Sequence, residues 1–153
     1  MGICSNKDYK NDVKGMNEKH NHMLIFLSPT LRNEKNFICS LCGKNYENIP
    51  SFNCIKCHFD MCKECFDYTG GMIYNVFKDG QKGQISTHDE HVLVYGKSNT
   101  KGKTLKLNGK LLYTCKICDA NYYADYIKCW SCPLCDYDVC DKCFSQKGGK
   151  IYS

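Results

Sequence analysis

Aliphatic residues are too sparse in this 153-residue chain to fill a single large core, and it has only three prolines and one tryptophan. Its hydrophobic fraction of 42% leans on 14 Cys and 11 Tyr. Modules below roughly 70–80 residues rarely reach stability through apolar burial alone, and disulfides or metals usually supply the rest. No apolar run approaches the ~20 residues that span a bilayer. The opening MGICSNKDYKND also lacks the apolar stretch of a secretory signal, so a cytoplasmic, reducing setting is expected. Paired carboxylates, a Ser-based triad, a phosphate-cradling glycine loop and an open three-donor zinc motif are likewise missing from the sequence, which points away from an enzyme.

What the chain does have is cysteine in a repeating pattern. Twelve of the fourteen sit in C-x2-C pairs. A tight turn at that spacing presents both sulfurs to one ion, whereas a bond between the two would be strained. Cys54, Cys57, Cys62 and Cys65 recur 78 residues later as Cys132, Cys135, Cys140 and Cys143. Asp60, Phe66, Gly70-Gly71 and Ile73-Tyr74 map at the same offset onto Asp138, Phe144, Gly148-Gly149 and Ile151-Tyr152. Cys39 and Cys42 recur at an offset of 76 as Cys115 and Cys118, and a His pair opens each copy, His20/His22 and His88/His91.

Such self-similarity predicts tandem modules. The boundaries read as a flexible leader over 1–18, module 1 over 19–78, a Gly-rich linker over 79–87 and module 2 over 88–153. The expected fold is small, metal-stabilised and mostly β. Strands are predicted over Met23–Leu27 and Val92–Tyr95, a type I′ hairpin around Asn108-Gly109, and at most a short helix after each last Cys pair.

Each module offers eight donors, enough for two closed tetrahedral sites, so the chain should take four Zn2+, two per module. Four residues separate the second Cys pair from the third, too few for those pairs to close comfortably on one ion. The sites should therefore interleave. Cys39, Cys42, Cys62 and Cys65 would form one, and His20, His22, Cys54 and Cys57 the other. In module 2 the sets are Cys115, Cys118, Cys140 and Cys143, then His88, His91, Cys132 and Cys135. ZZ-type fingers take their His pair from beyond the last cysteines; no His follows Cys143, so that rule would leave module 2 without any. Donation from upstream uses every pair once. His58 and Cys129 fall outside the sets and read as a surface residue and an inert thiol. Asp60, Asp136 and Asp138, beside the ligand cysteines, read as acceptors of local bonds rather than sites for a partner's amine.

The segments HNHMLIFL, FICSLCGKNY and FNCIKCHFDMCKEC resemble the divergent Cys/His-rich branch of the protein-kinase-C-type (phorbol-ester/diacylglycerol-type) zinc-finger superfamily, in tandem copies. Phe52, Cys54, Cys57, Phe59, Asp60 and Cys65 match that branch's aromatic-x-C-x2-C-x-F-D block, as do Trp130, Cys132, Cys135, Tyr137, Asp138 and Cys143. Cys62 and Cys140 stand where the family usually has His, and His88-x2-His91 is one residue wider than the usual H-x-H. CDYDVC is also similar to ZZ-type fingers, with one residue fewer in that gap. The resemblance implies a non-enzymatic zinc-binding adaptor that contacts protein or lipid. A RING-type ubiquitin-ligase component is the alternative, although its distal pair follows a longer gap. Diacylglycerol binding is not expected, because the loops lack an obvious apolar rim.

Two features point to a membrane. Met1-Gly2 offers a myristoylation site and Cys4 a palmitoylation site, although Asn6 stands where the motif prefers Ser or Thr. One acyl chain anchors only marginally, so both would be needed for peripheral attachment. The formal net charge is +5, and Val92 to Cys118 holds six lysines and no acid. Lys97, Lys101, Lys103, Lys106 and Lys110 of that segment are candidate contacts for an anionic lipid or acidic partner. Nucleic acid is not expected, since the patch has no Arg and no stacking platform. The protein partner is not named by any motif.

Overall fold

The longest run of buried apolar residues, Met23 to Leu27, lies in the middle of a sheet. The computed structural model describes residues 9–10, 12–74, 77–99 and 103–152, in two units, Met1–Asn75 and Val76–Ser153. The first unit contains β1 (Lys14–Asn17), β2 (His20–Leu27), α1 (Pro29–Arg32), β3 (Asn36–Ile38), β4 (Asn45–Glu47), β5 (Ser51–Cys54), β6 (Phe59–Met61), α2 (Lys63–Tyr68) and β7 (Met72–Tyr74). Five strands form an antiparallel sheet in the order β6-β5-β2-β1-β7, and β3 pairs with β4 in a separate ribbon.

The second unit contains β8 (Lys82–Gln84), β9 (Leu93–Gly96), β10 (Lys106–Leu107), β11 (Lys110–Thr114), β12 (Asn121–Tyr123), β13 (Cys129–Ser131), β14 (Asp138–Val139), α3 (Asp141–Gln146) and β15 (Lys150–Ile151). Its five-stranded sheet, β14-β13-β9-β8-β15, repeats the first one position for position. The fold is therefore mostly β, with three short helices among the described residues. Asn108 and Gly109 both take positive φ between β10 and β11, as a type I′ turn requires. The helix α1 has no counterpart in the sequence reading. Ser28 caps it through Leu31 N–H, and Pro29 starts it with its φ already set.

One aromatic stack supports each sheet. Phe52 of β5 lies 3.7 Å from Phe66 of α2 at 10°, and Trp130 of β13 lies 4.0 Å from Phe144 of α3 at 12°. Edge-on rings close each stack: Tyr9 packs on Phe26, Phe52 and Phe66, and Phe77 packs on Tyr95, Trp130 and Phe144. In the first unit these rings share one buried cluster with Leu24, Phe37 and Met61.

The structure moves two of the boundaries read from sequence. Of the leader at 1–18, residues 14–17 are strand β1, and Tyr9 is packed; residues 1–8 lie outside the described part. The linker at 79–87 contributes strand β8, paired with both β9 and β15. The cause is a close approach that only glycine permits. A Cβ on Gly15 would sit 2.7 Å from Phe66, and one on Gly83 would sit 2.9 Å from Phe144, Trp130 and the Lys150 carbonyl. At Gly96, by contrast, a Cβ would meet nothing within 4 Å.

Gly83→Ala should destabilise the second unit by about 1–3 kcal/mol through overpacking against fixed backbone and stacked rings. Gly96→Ala should leave stability within ~0.5 kcal/mol. Chemical denaturation of the metal-loaded protein compares the two directly.

Candidate metal centres

The first C-x2-C pair of each unit is presented by a tight turn whose backbone bonds are internal. Cys39 N–H donates to the Lys44 carbonyl and Gly43 N–H to the Cys39 carbonyl. In the second unit, Cys115 N–H donates to Ala120 and Asp119 N–H to Cys115. Each turn is then tied to the sheet. Ser40 N–H reaches the Asp60 carbonyl at 2.7 Å, and Lys116 N–H reaches that of Asp138 at 2.8 Å. That bond carries the first Cys pair to the strand leading into the third, which explains why non-adjacent pairs meet.

Four clusters result. They are His20, His22, Cys54 and Cys57; Cys39, Cys42, Cys62 and Cys65; His88, His91, Cys132 and Cys135; and Cys115, Cys118, Cys140 and Cys143. Within each, all ligand atoms lie within 4.8 Å of one another. A tetrahedron built on zinc–sulfur and zinc–nitrogen bonds puts sulfurs about 3.8 Å apart and sulfur and nitrogen about 3.6 Å apart. Cys42 and Cys62 sulfurs are 3.9 Å apart, and those of Cys118 and Cys140 are 4.0 Å. His22 Nδ1 lies 3.5 and 3.4 Å from Cys54 and Cys57, and His91 Nδ1 lies 3.6 and 3.3 Å from Cys132 and Cys135. A disulfide would need about 2.05 Å. These edges fit a tetrahedral cation.

The wider spacing of the second His pair has a local explanation. His20 and His22 alternate along β2, whereas His88 closes a 3-10 turn, Ser86–His88, and His91 follows it. The turn absorbs the extra residue, and the ring separations stay close, 5.4 and 5.6 Å. The leading imidazole is held by a stacked ring in both units: His20 on Phe59 at 4.3 Å and His88 on Tyr137 at 4.1 Å. Nε2 of His88 is buried with no hydrogen-bond partner among the described residues, which suits a nitrogen whose lone pair a cation takes.

Electrostatics point the same way. Cys115 is pulled far below the ordinary thiol range by hydrogen bonds from Cys118, Cys140 and Cys143, and Cys140 is pushed well above it by its bond to Cys115. Four sulfurs this close cannot all ionise unless a cation neutralises them. Backbone donors also face the sulfurs, with Cys62 N–H to Cys39 and Cys140 N–H to Cys115, both at 3.4 Å.

The remaining candidates are placed as follows. His58 is exposed, with a positive φ, at the turn after Cys57. Cys129 is fully buried, and its sulfur donates to Asp138 Oδ1 at 3.6 Å. Asp60 accepts from Ser51 and Asn53, at 2.7 and 2.9 Å. Lys103 is not a free surface cation, as its sequence position had implied. Its side chain is 9% exposed, and its ammonium pairs with Asp138 at 2.8 Å and Asp136 at 2.5 Å. Burial opposes its charge, but the two carboxylates prevail and raise its pKa. Lys97 and Lys106 are exposed and Lys110 is half-buried, while Lys101, like Gly2 and Cys4, lies outside the described residues.

Sequence reasoning also missed residues that hold the donors in place. Tyr9-Lys10, Lys14-Gly15 and His20 recur as Phe77-Lys78, Lys82-Gly83 and His88 at a constant offset of 68. That signal begins the repeat at Tyr9 and Phe77, ahead of the His pairs.

The geometry defines a class: small cross-braced modules, each with two four-donor centres. The family model of the C1 domain matches residues 18–66, which span all eight donors of the first unit, from His20 to Cys65. The match lies within the first unit, and the second unit repeats that unit's sheet order and its donor sets. No curated protein and no solved structure matches the chain.

Two substitutions test these arrangements. Tyr137→Ala should weaken metal binding about 10-fold at the His88 cluster, as loss of an orienting neighbour typically does; competition with a chromophoric chelator measures it. Lys103→Ala strands the buried Asp138 carboxylate and should cost about 3 kcal/mol, whereas Lys106→Ala should be silent in the same denaturation experiment.

Proposed function

We propose that the protein is a non-catalytic, zinc-dependent adaptor whose two modules are each held folded by two zinc ions. The observation that carries this reading is closure: every cluster supplies four protein donors, the arrangement of structural rather than catalytic zinc. The C1 match over residues 18–66 supports the choice of metal and favours an interaction module over a RING-type ligase component. Apolar side chains left exposed beside the Cys pairs, Ile38, Leu41 and Leu134, support contact with protein.

Attachment to a membrane is part of the proposal. No helix of the described residues is long and apolar enough to cross one, and Gly2 with Cys4 would supply two acyl chains. Lys97, Lys106 and Lys110 would add attraction to anionic headgroups. An acidic protein surface is the second reading of the same lysines.

Native mass spectrometry of the protein from its own cells should report four zinc ions together with the mass of the attached lipids. Structural zinc contributes an apparent ~10–16 kcal/mol per site in finger peptides. Exhaustive chelation should therefore abolish cooperative unfolding, and Cys135→Ser should unfold the second module while sparing the first. Gly2→Ala and Cys4→Ser should each move the protein from the membrane fraction to the soluble one; unchanged fractionation would remove the membrane from the proposal.

A further inference from the structure

The two sheets share their strand order and their pairing register, and that register isolates one difference. Leu27 faces Ser51 across β2 and β5, while Gly96 faces Cys129 across β9 and β13. Ser51 and Cys129 are 78 residues apart, as are the ligand cysteines of the second and third pairs, so Gly96 occupies the place of Leu27. In the first unit that leucine is 1% exposed, next to α1. In the second unit the same place is open, and a groove of about 380 Å³ runs over Gly96, Val94, Ser131 and Pro133 with Lys97 and Asn99 at its side.

The chemistry of the groove selects its occupant. The hollow has the position of a leucine side chain, so an aliphatic group suits it. Ser131 is 6% exposed and lines the groove, and its Oγ is buried without a hydrogen-bond partner among the described residues. Leaving such a group unpaired is costly, so an acceptor from outside would be rewarded. Lys97 is exposed beside it, within the segment that holds six lysines and no acid. Asp138 lies opposite Ser131, but Lys103, Ser98 and Cys129 satisfy it, so it does not oppose an anion there. An aliphatic side chain and an anion one residue's reach apart describe the last residue of a polypeptide. The groove is open rather than enclosed, which suits the end of a longer chain better than a free metabolite.

We propose that the groove beside Gly96 captures the carboxy-terminus of a partner protein ending in leucine or a similar aliphatic residue. The side chain fills the place that Leu27 takes in the first unit, and the carboxylate accepts from Ser131 Oγ–H and pairs with Lys97. This rests on the adaptor reading and gives the second module its class of partner.

The test is an amide-resolved NMR titration of the zinc-loaded full chain with an acetylated Gly/Ser peptide ending in leucine. Saturable shifts should centre on Gly96, Lys97 and Ser131. The carboxamide form of the peptide should bind at least about 10-fold more weakly, as expected for loss of a charged acceptor. Lys97→Gln should weaken binding about 5-fold, the upper range for an exposed ion pair. Gly96→Leu should abolish binding at unchanged zinc content; should it fail to fold, Gly96→Ala and Lys97→Gln carry the test. Equal binding of acid and amide, no saturation at millimolar peptide, or equal affinity for free 4-methylpentanoate would each overturn the proposal. A wrong zinc count would instead overturn the adaptor reading, so the two failures are distinguishable.

Discussion

Four donors brought to within 4.8 Å, drawn from segments as far apart as His20 and Cys57 in the first module and His88 and Cys135 in the second, are the constraint on which each module depends. Unmetallated, such a cluster sets thiol against thiol, since ionising one raises the cost of ionising the next. A divalent cation reverses that sign and turns mutual repulsion into a tie. The aromatic stack of Phe52 on Phe66, or Trp130 on Phe144, covers one face of one sheet and no more. Metal and stack are complementary: the first fixes where the turns go, and the second fixes how the sheet and the short helix face each other.

Much of this was legible from sequence because thiol and imidazole donors have strict geometry and few other uses at such spacing. The interleaved sets follow from counting donors, and the structure groups the same residues. The type I′ turn at Asn108-Gly109 is equally local, since few residue pairs accept positive φ twice. Gly15 and Gly83 were misjudged because their role is tertiary. In a polar stretch a glycine reads as a hinge, and only the rings of Phe66 and Phe144, some fifty to sixty residues away, show that it is a site of close packing. Lys103 failed for a similar reason: its partner Asp138 arrives through the fold, and a lysine amid lysines looks solvated.

The two copies keep their metal donors and their stack but diverge on the opposite face of the sheet. In the first, Arg32 of α1 donates to Ser51 Oγ and to backbone carbonyls of Leu27 and Ile49, and Ser51 in turn donates to Asp60. In the second, Lys103 takes over at the matching carboxylate, and Gly96 stands where Leu27 fills the first strand. The acid is thus retained while the neighbouring cation changes from Arg32, which reaches it through Ser51, to Lys103, which pairs with it directly. Duplication has preserved what holds the modules together and altered what they present.

Interleaving also imposes an order on synthesis. The donor nearest the amino-terminus in the first module, His20, has no complete set until Cys57 has left the ribosome, and the all-sulfur set waits for Cys65. Nothing in the second module contributes to either. The first finger can therefore be metallated and finished while the next is still being made, so that nascent cysteines of one copy need not compete with those of the other for the same ion.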